Sequence, residues 1–94
     1  MTTWLVVYDI SADHVRNRMA KHLEARGRRV QESVFECGLE PAGVQRLAGE
    51  LQALLGAPEN GNVRLYRVCE ACLGASLSVG PLPQDNSRPS YLIV

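Results

Sequence analysis

The sequence lacks several features that mark common classes of protein. None of its apolar runs approaches the roughly 18–20 residues that a membrane-spanning helix needs, so no contact with a membrane is expected. The first three residues carry no Lys or Arg ahead of a short apolar stretch, which argues against a secretory signal. We therefore expect a cytoplasmic protein, and the length of 94 residues suits a single domain.

Cysteine is scarce, and the odd number of three argues against an extracellular disulfide framework. Cys69 and Cys72 form a single Cys-x-x-Cys motif, while Cys37 stands alone. A tetrahedral zinc site needs four ligands, and the two histidines lie far upstream of the motif. We expect buried or half-buried, reduced thiols. Zinc binding and a thioredoxin-like redox role are minor alternatives, the second because a glycine follows too soon for a long helix.

Net charge is absent, since ten basic and ten acidic residues cancel. Six of the ten basic side chains nevertheless fall within residues 16–29, where Glu24 is the one acid. Because local potential matters more than net charge for phosphate binding, a neutral chain can still present a basic face. The alternatives are a nucleic-acid-binding surface and a solvated helix followed by a basic turn.

The hydrophobic pattern alternates between strand and helix periods. Residues 3–9 form a nearly continuous apolar run and predict a central strand with both faces covered. A helix capped by Ser11 or Asp13 follows and stops near Gly27. Residues 30–37 predict a second strand, and a second helix opens at Pro41 and ends at Gly56.

The remaining sequence predicts shorter elements. Residues 63–68 alternate as in a third strand, residues 69–73 suit one helical turn, and residues 75–79 suit a short fourth strand. Residues 80–89 contain three prolines and resemble a linker. The last four residues, 91–94, are too apolar to stay in water and should pair with a sheet edge.

We predict an α+β fold, a ferredoxin-like sandwich in which two helices cover one face of an antiparallel sheet. The predicted order of elements departs from the ferredoxin order between the second and third strands. Residues 1–80 would form this domain, and residues 81–94 a proline-rich tail whose terminal strand pairs with its own sheet or a partner's. The helix-free face would expose apolar area, so we expect a homodimer through that face.

One carboxylate, Asp9, stands at the end of a buried strand, where active-site acids are often found. A helix cap or a turn is the alternative role. No HExxH motif, glycine-rich phosphate loop or Ser/His/Asp grouping accompanies it. A single carboxylate cannot hold Mg²⁺ by itself, but a twofold axis that passes near Asp9 would bring the copies from two chains together. Such a pair could share a metal ion that polarises a phosphodiester.

Several short blocks of sequence together resemble the CRISPR-associated Cas2 family, small proteins that act with the Cas1 integrase in spacer acquisition. The blocks are Tyr8-Asp9-Ile10-Ser11, Arg16-Asn17-Arg18, Gly27 and residues 30–36, which include Ser33-Val34-Phe35-Glu36. The resemblance covers roughly residues 3–73. It implies a ferredoxin-like homodimer with a C-terminal strand added to the partner's sheet. It also implies a Mg²⁺-dependent endonuclease acting on RNA or DNA, or alternatively a non-catalytic scaffold that bridges DNA.

The resemblance assigns roles by position. Asp9 would be the catalytic and metal-binding residue, and Ser33 and Phe35 would support the site or the dimer. For Phe35, packing in the dimer is favoured over stacking on a base. The residues expected to contact nucleic acid are Tyr8, Arg16, Arg18, Arg28 and Arg29. A small dimeric regulator of the same fold is a third, less favoured class.

Overall fold

The structure is a computed structural model that describes residues 1–77, 79 and 80. Its main elements follow the order β-α-β-β-α-β that defines a ferredoxin-like fold, which confirms the predicted fold class. They are β1 (Thr2–Ile10), α1 (Asp13–Glu24), β2 (Arg28–Gln31), β3 (Val34–Leu39), α2 (Pro41–Leu55) and β4 (Gly61–Val68). A 3-10 turn (Pro58–Asn60) precedes β4, and a short helix, α3 (Glu70–Gly74), follows it.

The strands form one antiparallel sheet in the order β2-β3-β1-β4. The central strand β1 pairs with β3 on one side and β4 on the other, so that Val6 lies opposite both Phe35 and Leu65. Because side chains alternate along a strand, Val6, Tyr8 and Ile10 all face the helices. Their odd-numbered neighbours face the helix-free side.

The hydrophobic core lies between this sheet face and the two long helices. Its members include residues from β1, β3, α1 and α2, and all are buried: Val6, Tyr8, Ile10, Val15, Met19, Ala20, Leu23, Phe35, Cys37, Leu47 and Leu51. The odd-numbered apolar residues Leu5 and Val7 are half-buried. Both faces of β1 were predicted to be covered. Within one chain only the helix face is fully covered, and the other face is half-buried.

The first helix shows the predicted apolar stripe but not the predicted caps. Val15, Met19 and Leu23 are buried at four-residue spacing. The N-cap is Ala12, which makes no side-chain cap hydrogen bond, so the predicted Ser11 or Asp13 cap was wrong. Ser11 instead donates its backbone N–H to the Asn60 carbonyl at 3.0 Å, which ties the start of the helix to the turn before β4.

A polar contact joins α1 to α2 at their solvent edge. His22 Nε2 lies 2.8 Å from Glu50 Oε1, and Arg26 Nε lies 3.4 Å from the same oxygen. The hydrogen bond with His22 is the main reason that the pKa of Glu50 lies below its ordinary value. As predicted, α2 begins at Pro41 and ends at Gly56, whose φ of 78° suits glycine.

The region predicted as one second strand is two strands. Residues 30–37 were predicted to form one strand, but the chain turns at Glu32-Ser33 between β2 and β3. This polar pair separates the two strands, and the β2–β3 register is irregular between Arg29 and Gln31. The extra strand restores the ferredoxin order that the predicted elements had broken.

The predicted fourth strand at residues 75–79 is also wrong. The sheet's fourth strand is β4, and the described residues 75–77 and 79 form no strand. Ala75 and Ser76 instead donate their backbone N–H groups to α3 carbonyls, closing the end of that helix. The predicted tail, residues 81–94, with its terminal strand at 91–94, lies outside the described residues. No helix among those described is long and apolar enough to cross a bilayer.

Replacement of glycine by alanine should have opposite effects on stability at Gly27 and at Gly49. A Cβ at Gly27 would lie 2.2 Å from the Glu36 carbonyl oxygen and 2.7 Å from Cys37 Sγ, whereas a Cβ at Gly49 in α2 meets nothing within 4 Å. We expect Gly27→Ala to lower the free energy of unfolding by about 1–3 kcal/mol, since the backbone must move. Gly49→Ala, the control, should raise it by up to about 1 kcal/mol. Urea denaturation measures both, and equal effects would contradict the packing assigned to Gly27.

Candidate active site

The end of β1 presents two neighbouring side chains to opposite sides of the sheet. Tyr8 is 2% exposed and faces the helices, whereas Asp9 is exposed on the helix-free side, opposite Asn62 of β4. The Asp9 carboxylate accepts no hydrogen bond within the described part of the chain. It is therefore available to an external ligand such as a cation.

A largely polar cavity of about 350 Å³ opens beside this strand end. Five of the predicted site residues line it, namely Tyr8, Asp9, Arg16, Arg29 and Ser33. The elements that supply them are β1, α1, β2 and the β2–β3 turn, so residues far apart in sequence converge here. The cavity has the residue types expected of a phosphate site, because guanidinium groups are planar donors that suit phosphate oxygens.

Arg16 is fixed in the cavity wall by its own chain. Its guanidinium donates to the Ile10 carbonyl at 2.9 Å and pairs with Asp13 one turn earlier. These contacts tie the last residue of β1 to the first turn of α1. Arg16 thus has a structural role besides any contact with nucleic acid.

On the side of the cavity formed by the β2–β3 turn, several donors converge on the Glu32 carbonyl oxygen. It accepts hydrogen bonds from Arg29 Nε at 3.0 Å, from Arg29 Nη2 at 2.6 Å and from the Tyr8 hydroxyl at 3.2 Å. The Arg29 guanidinium also lies 5.4 Å from the centre of the Phe35 ring, within the range of a cation–π contact. Sequence reasoning missed Glu32, because a backbone acceptor leaves no signature in residue type.

Burial raises the pKa of the Tyr8 phenol, and the nearby Arg29 charge opposes that rise only in part. The phenol is therefore protonated at neutral pH and acts as a hydrogen-bond donor. Its ring stacks on Phe35 with centroids 6.3 Å apart. These contacts fix Tyr8 and, through the shared backbone, the position of Asp9.

Phe35 corrects one prediction. It was expected to pack in the dimer, but it has no exposed surface in the single chain and belongs to the core beneath the helices. Its position opposite Val6 places it on the helix face of β3, which explains the difference. Its ring contacts Tyr8 and Arg29, two of the cavity residues, within the same chain.

The other two arginines predicted to contact nucleic acid, Arg18 and Arg28, do not line the cavity. Arg18 is exposed on α1 and does not line it, since two residues along a helix turn the side chain through about 200° from Arg16. Arg28 lies opposite Glu36 on the helix-free face, whereas its neighbour Arg29 faces the helix side. Burial raises the pKa of Glu36, and the Arg28 charge partly opposes this.

Arg64 is a second residue that the predicted site omitted. It lies on the helix-free face, two residues along β4 from Asn62, the partner of Asp9, and it donates to the Tyr66 hydroxyl at 3.3 Å. The Asp9 charge contributes to the raised pKa of Arg64, although the hydrogen bond with Tyr66 is the larger cause. The alternation of β4 could have shown that Arg64 and Asp9 share a face once their strands were paired.

A metal ion would find few protein ligands here. No group of three or more His, Cys, Asp or Glu side chains that could hold one occurs in the described residues. Asp9 offers one exposed carboxylate. This donor set cannot enclose a cation, but it suits Mg²⁺, which keeps several waters and commonly uses one or two carboxylates with substrate phosphates.

The fold and this site define a class: a small ferredoxin-like protein with an unpaired strand-end carboxylate beside an arginine-lined cavity. The family model described as CRISPR associated protein Cas2 matches residues 1–75. The chain belongs to the CRISPR-associated Cas2 family, which confirms the resemblance found in the sequence.

Individual relatives agree with this assignment. The chain is 40% identical over 91 residues to CRISPR-associated endoribonuclease Cas2 1 of Chloroflexus aurantiacus, covering 96% of this chain and 98% of the relative. It is 37% identical over 81 residues to CRISPR-associated endonuclease Cas2 2 of Thermus thermophilus, covering 86% and 87%. The crystal structure of Streptococcus pyogenes Cas2 at pH 6.5 matches with a TM-score of 0.72 at 25% identity, covering 83% of this chain and 99% of that one.

The Tyr8 hydroxyl generates a stability prediction. We expect Tyr8→Phe to lower the free energy of unfolding by about 1 kcal/mol, since it removes one part-buried hydrogen bond to the Glu32 carbonyl. Tyr66→Phe is the control, because the Tyr66 side chain is 48% exposed and its bond to Arg64 lies at the surface. Urea denaturation at neutral pH compares the two.

The same variants test the protonation of Tyr8. Absorbance titration of the folded protein should show a phenol that ionises above the ordinary pH of about 10 and disappears in Tyr8→Phe. Because the folded pKa is raised, the stability linked to this group is complete below the unfolded pKa and is lost as pH rises through the folded pKa. A late titration that persists in Tyr8→Phe would contradict the assignment.

Proposed function

We propose that this chain is a metal-dependent endonuclease of the CRISPR adaptation machinery, which hydrolyses phosphodiester bonds in RNA or DNA. The observation that carries the proposal is the exposed, unpaired Asp9 carboxylate beside a cavity lined by Arg16 and Arg29. Relatives named as CRISPR-associated endoribonuclease and endonuclease support it. A single carboxylate with adjacent cations is an arrangement that can hold a metal ion and a phosphate together.

The proposal includes action with the Cas1 integrase in acquiring new spacers. A relative from Thermoproteus tenax is named CRISPR-associated endonuclease Cas1/endonuclease Cas2 fusion. This chain is 37% identical to it over 81 residues, covering 84% of this chain and 30% of that protein. A fusion keeps two activities together, so its existence favours a Cas1-type partner for this chain as well.

The site would be completed by a homodimer that brings two copies of Asp9 together through the helix-free face. That face carries the half-buried Leu5 and Val7 as well as Asp9, so it combines apolar area with the carboxylate. The two Asp9 carboxylates would hold a Mg²⁺ ion, which when bound polarises the phosphodiester and lowers the pKa of a coordinated water. Arg16 and Arg29 would orient the phosphate by charge and hydrogen bonding.

A non-catalytic scaffold that bridges DNA is the second candidate. The observation that favours it is the distribution of positive charge, because Arg18 and Arg28 lie away from the cavity that Arg16 and Arg29 line. Charge spread over separate surfaces suits a long nucleic acid held by its backbone. The two candidates are compatible, and they differ in whether Asp9 is needed.

The first test of the proposal is Asp9→Asn. We expect cleavage of RNA or DNA in Mg²⁺ to fall at least about 100-fold, the order contributed by one electrostatic contact to a transition state. The exposed Glu59→Gln variant is the control for loss of a surface acid. The dimer, measured by sedimentation, should persist. Cleavage by Asp9→Asn at the wild-type rate would remove Asp9 from the mechanism and favour the scaffold.

The second test concerns phosphate contacts. Arg18→Ala is preferred to a change at Arg16, because Arg16 also holds the end of β1. If Arg18 contacts one phosphate of duplex DNA, the slope of log binding constant against log salt should become shallower by about 0.9. Arg46→Ala, at an exposed site on α2, should leave the slope unchanged. Equal slopes in all three proteins would show that Arg18 makes no phosphate contact.

A further inference from the structure

The Cys-x-x-Cys motif lies far from the candidate active site. It follows β4 directly, and the last residue of that strand, Val68, pairs with Thr3 near the start of β1. Asp9 lies at the other end of the same strand pair, opposite Asn62. The motif thus lies at the opposite end of the β1–β4 strand pair, and the Asp9 site makes no use of it.

The two cysteines face each other across a single turn. Cys69 is the N-cap of α3, and its Sγ accepts a hydrogen bond from the Cys72 backbone N–H at 3.3 Å. The turn is held by bonds from Leu73 N to the Cys69 carbonyl at 2.9 Å and from Ser76 Oγ to the Cys72 carbonyl at 2.8 Å. Both thiols are free and exposed, so the expectation of buried or half-buried thiols was wrong for these two cysteines and holds for Cys37. Reagents in solution can therefore reach Cys69 and Cys72.

The surroundings make the two thiols unequal. Hydrogen bonds from the Cys72 thiol and backbone lower the pKa of Cys69, and the positive charge of Arg67 on β4 adds to this. The same hydrogen bond raises the pKa of Cys72. Burial raises the pKa of Cys37 to about 11, so the third cysteine is shielded and mostly protonated. The thiolate is the nucleophile, so Cys69 is the favoured attacker.

We propose that Cys69 and Cys72 form a thiol–disulfide exchange site whose substrates are small-molecule disulfides such as oxidised glutathione. The exposure of both thiols and their placement across one hydrogen-bonded turn carry this proposal. The short α3 is sufficient, because the exchange requires the two sulfur atoms to meet and not a long helix. The sequence argument against a redox role was that Gly74 leaves no room for a long helix after the motif. That argument applies to a thioredoxin-like site and not to disulfide exchange at a short turn.

The exchange balances in two steps. The Cys69 thiolate forms a bond to one sulfur of glutathione disulfide, whose S–S bond breaks and releases a glutathione thiolate that takes up a proton. The Cys72 thiol then loses its proton and attacks Cys69 Sγ, which releases the second glutathione thiolate. The protein loses two electrons and two protons, and one glutathione disulfide becomes two glutathione thiols.

The product has a structural consequence. A bond between Cys69 and Cys72 would close covalently the turn that joins β4 to residues 75–77. Because the bond lies at the end of the β1–β4 strand pair remote from Asp9, oxidation should leave the Asp9 cavity unchanged. This separates the exchange site from the proposed nuclease, and its test does not depend on cleavage.

The experiment treats the full-length reduced protein with glutathione disulfide at several pH values, stops the reaction with acid, and identifies the modified cysteines by peptide mass spectrometry. In the wild type we expect a Cys69–Cys72 disulfide with little mixed disulfide. Cys72→Ser should accumulate glutathione on Cys69, several-fold faster than Cys69→Ser accumulates it on Cys72. Cys37→Ser is the control and should behave as the wild type.

Two results would overturn the proposal. One is equal rates for the Cys72→Ser and Cys69→Ser variants, which would describe two independent surface thiols. The other is a wild-type protein that carries separate glutathione adducts on both cysteines and no bond between them. Circular dichroism of each reduced variant shows whether the substitution itself has disturbed the fold.

Discussion

The pairing of β1 between β3 and β4 is the constraint on which the rest of the molecule depends. Because side chains alternate along a strand, this pairing sends Tyr8 into the core and Asp9 outward. A slip of one residue would bury the carboxylate and expose the phenol. Phe35 of β3 and Leu23 of α1 oppose that slip, because both are buried in the core that the helix face of β1 packs against. Core packing therefore fixes the chemistry at the end of the strand.

The hydrogen bonds around the Glu32 carbonyl extend this control to the next hairpin. Tyr8 and Arg29 come from different strands and meet at one oxygen in the β2–β3 turn. Three donors on a single acceptor fix the turn and hold the guanidinium against the Phe35 ring. Arg16 and Arg29 lie on the helix side of the sheet, where each is ion-paired within the chain, to Asp13 and Glu24 respectively. Asp9 contributes to the same cavity wall, but its exposed carboxylate is on the helix-free side.

Most of the fold could be predicted from the sequence, because the apolar periods of β1, α1 and α2 are strong. The hairpin of β2 and β3 could not, since its turn contains only Glu32 and Ser33 and neither glycine nor proline marks it. The prediction of a strand at residues 75–79 was wrong because the backbone N–H groups of Ala75 and Ser76 are hydrogen-bonded to carbonyls of α3. Local propensity does not reveal which partner a backbone group will find.

The site was predicted in part, and the missing part depends on strand register. Asp9, Arg16 and Arg29 could be chosen by residue type and by family resemblance. Their convergence, and the proximity of Arg64 to Asp9, follow from pairings between strands that one sequence does not specify. Arg28 and Arg29 illustrate the same point, because adjacent residues of one strand must face opposite sides. Arginines that are adjacent in the sequence are thus divided between the two sides of the sheet in the fold. A nucleic acid that contacted both sides would have to pass around the sheet edge or reach the second side through another copy of the chain.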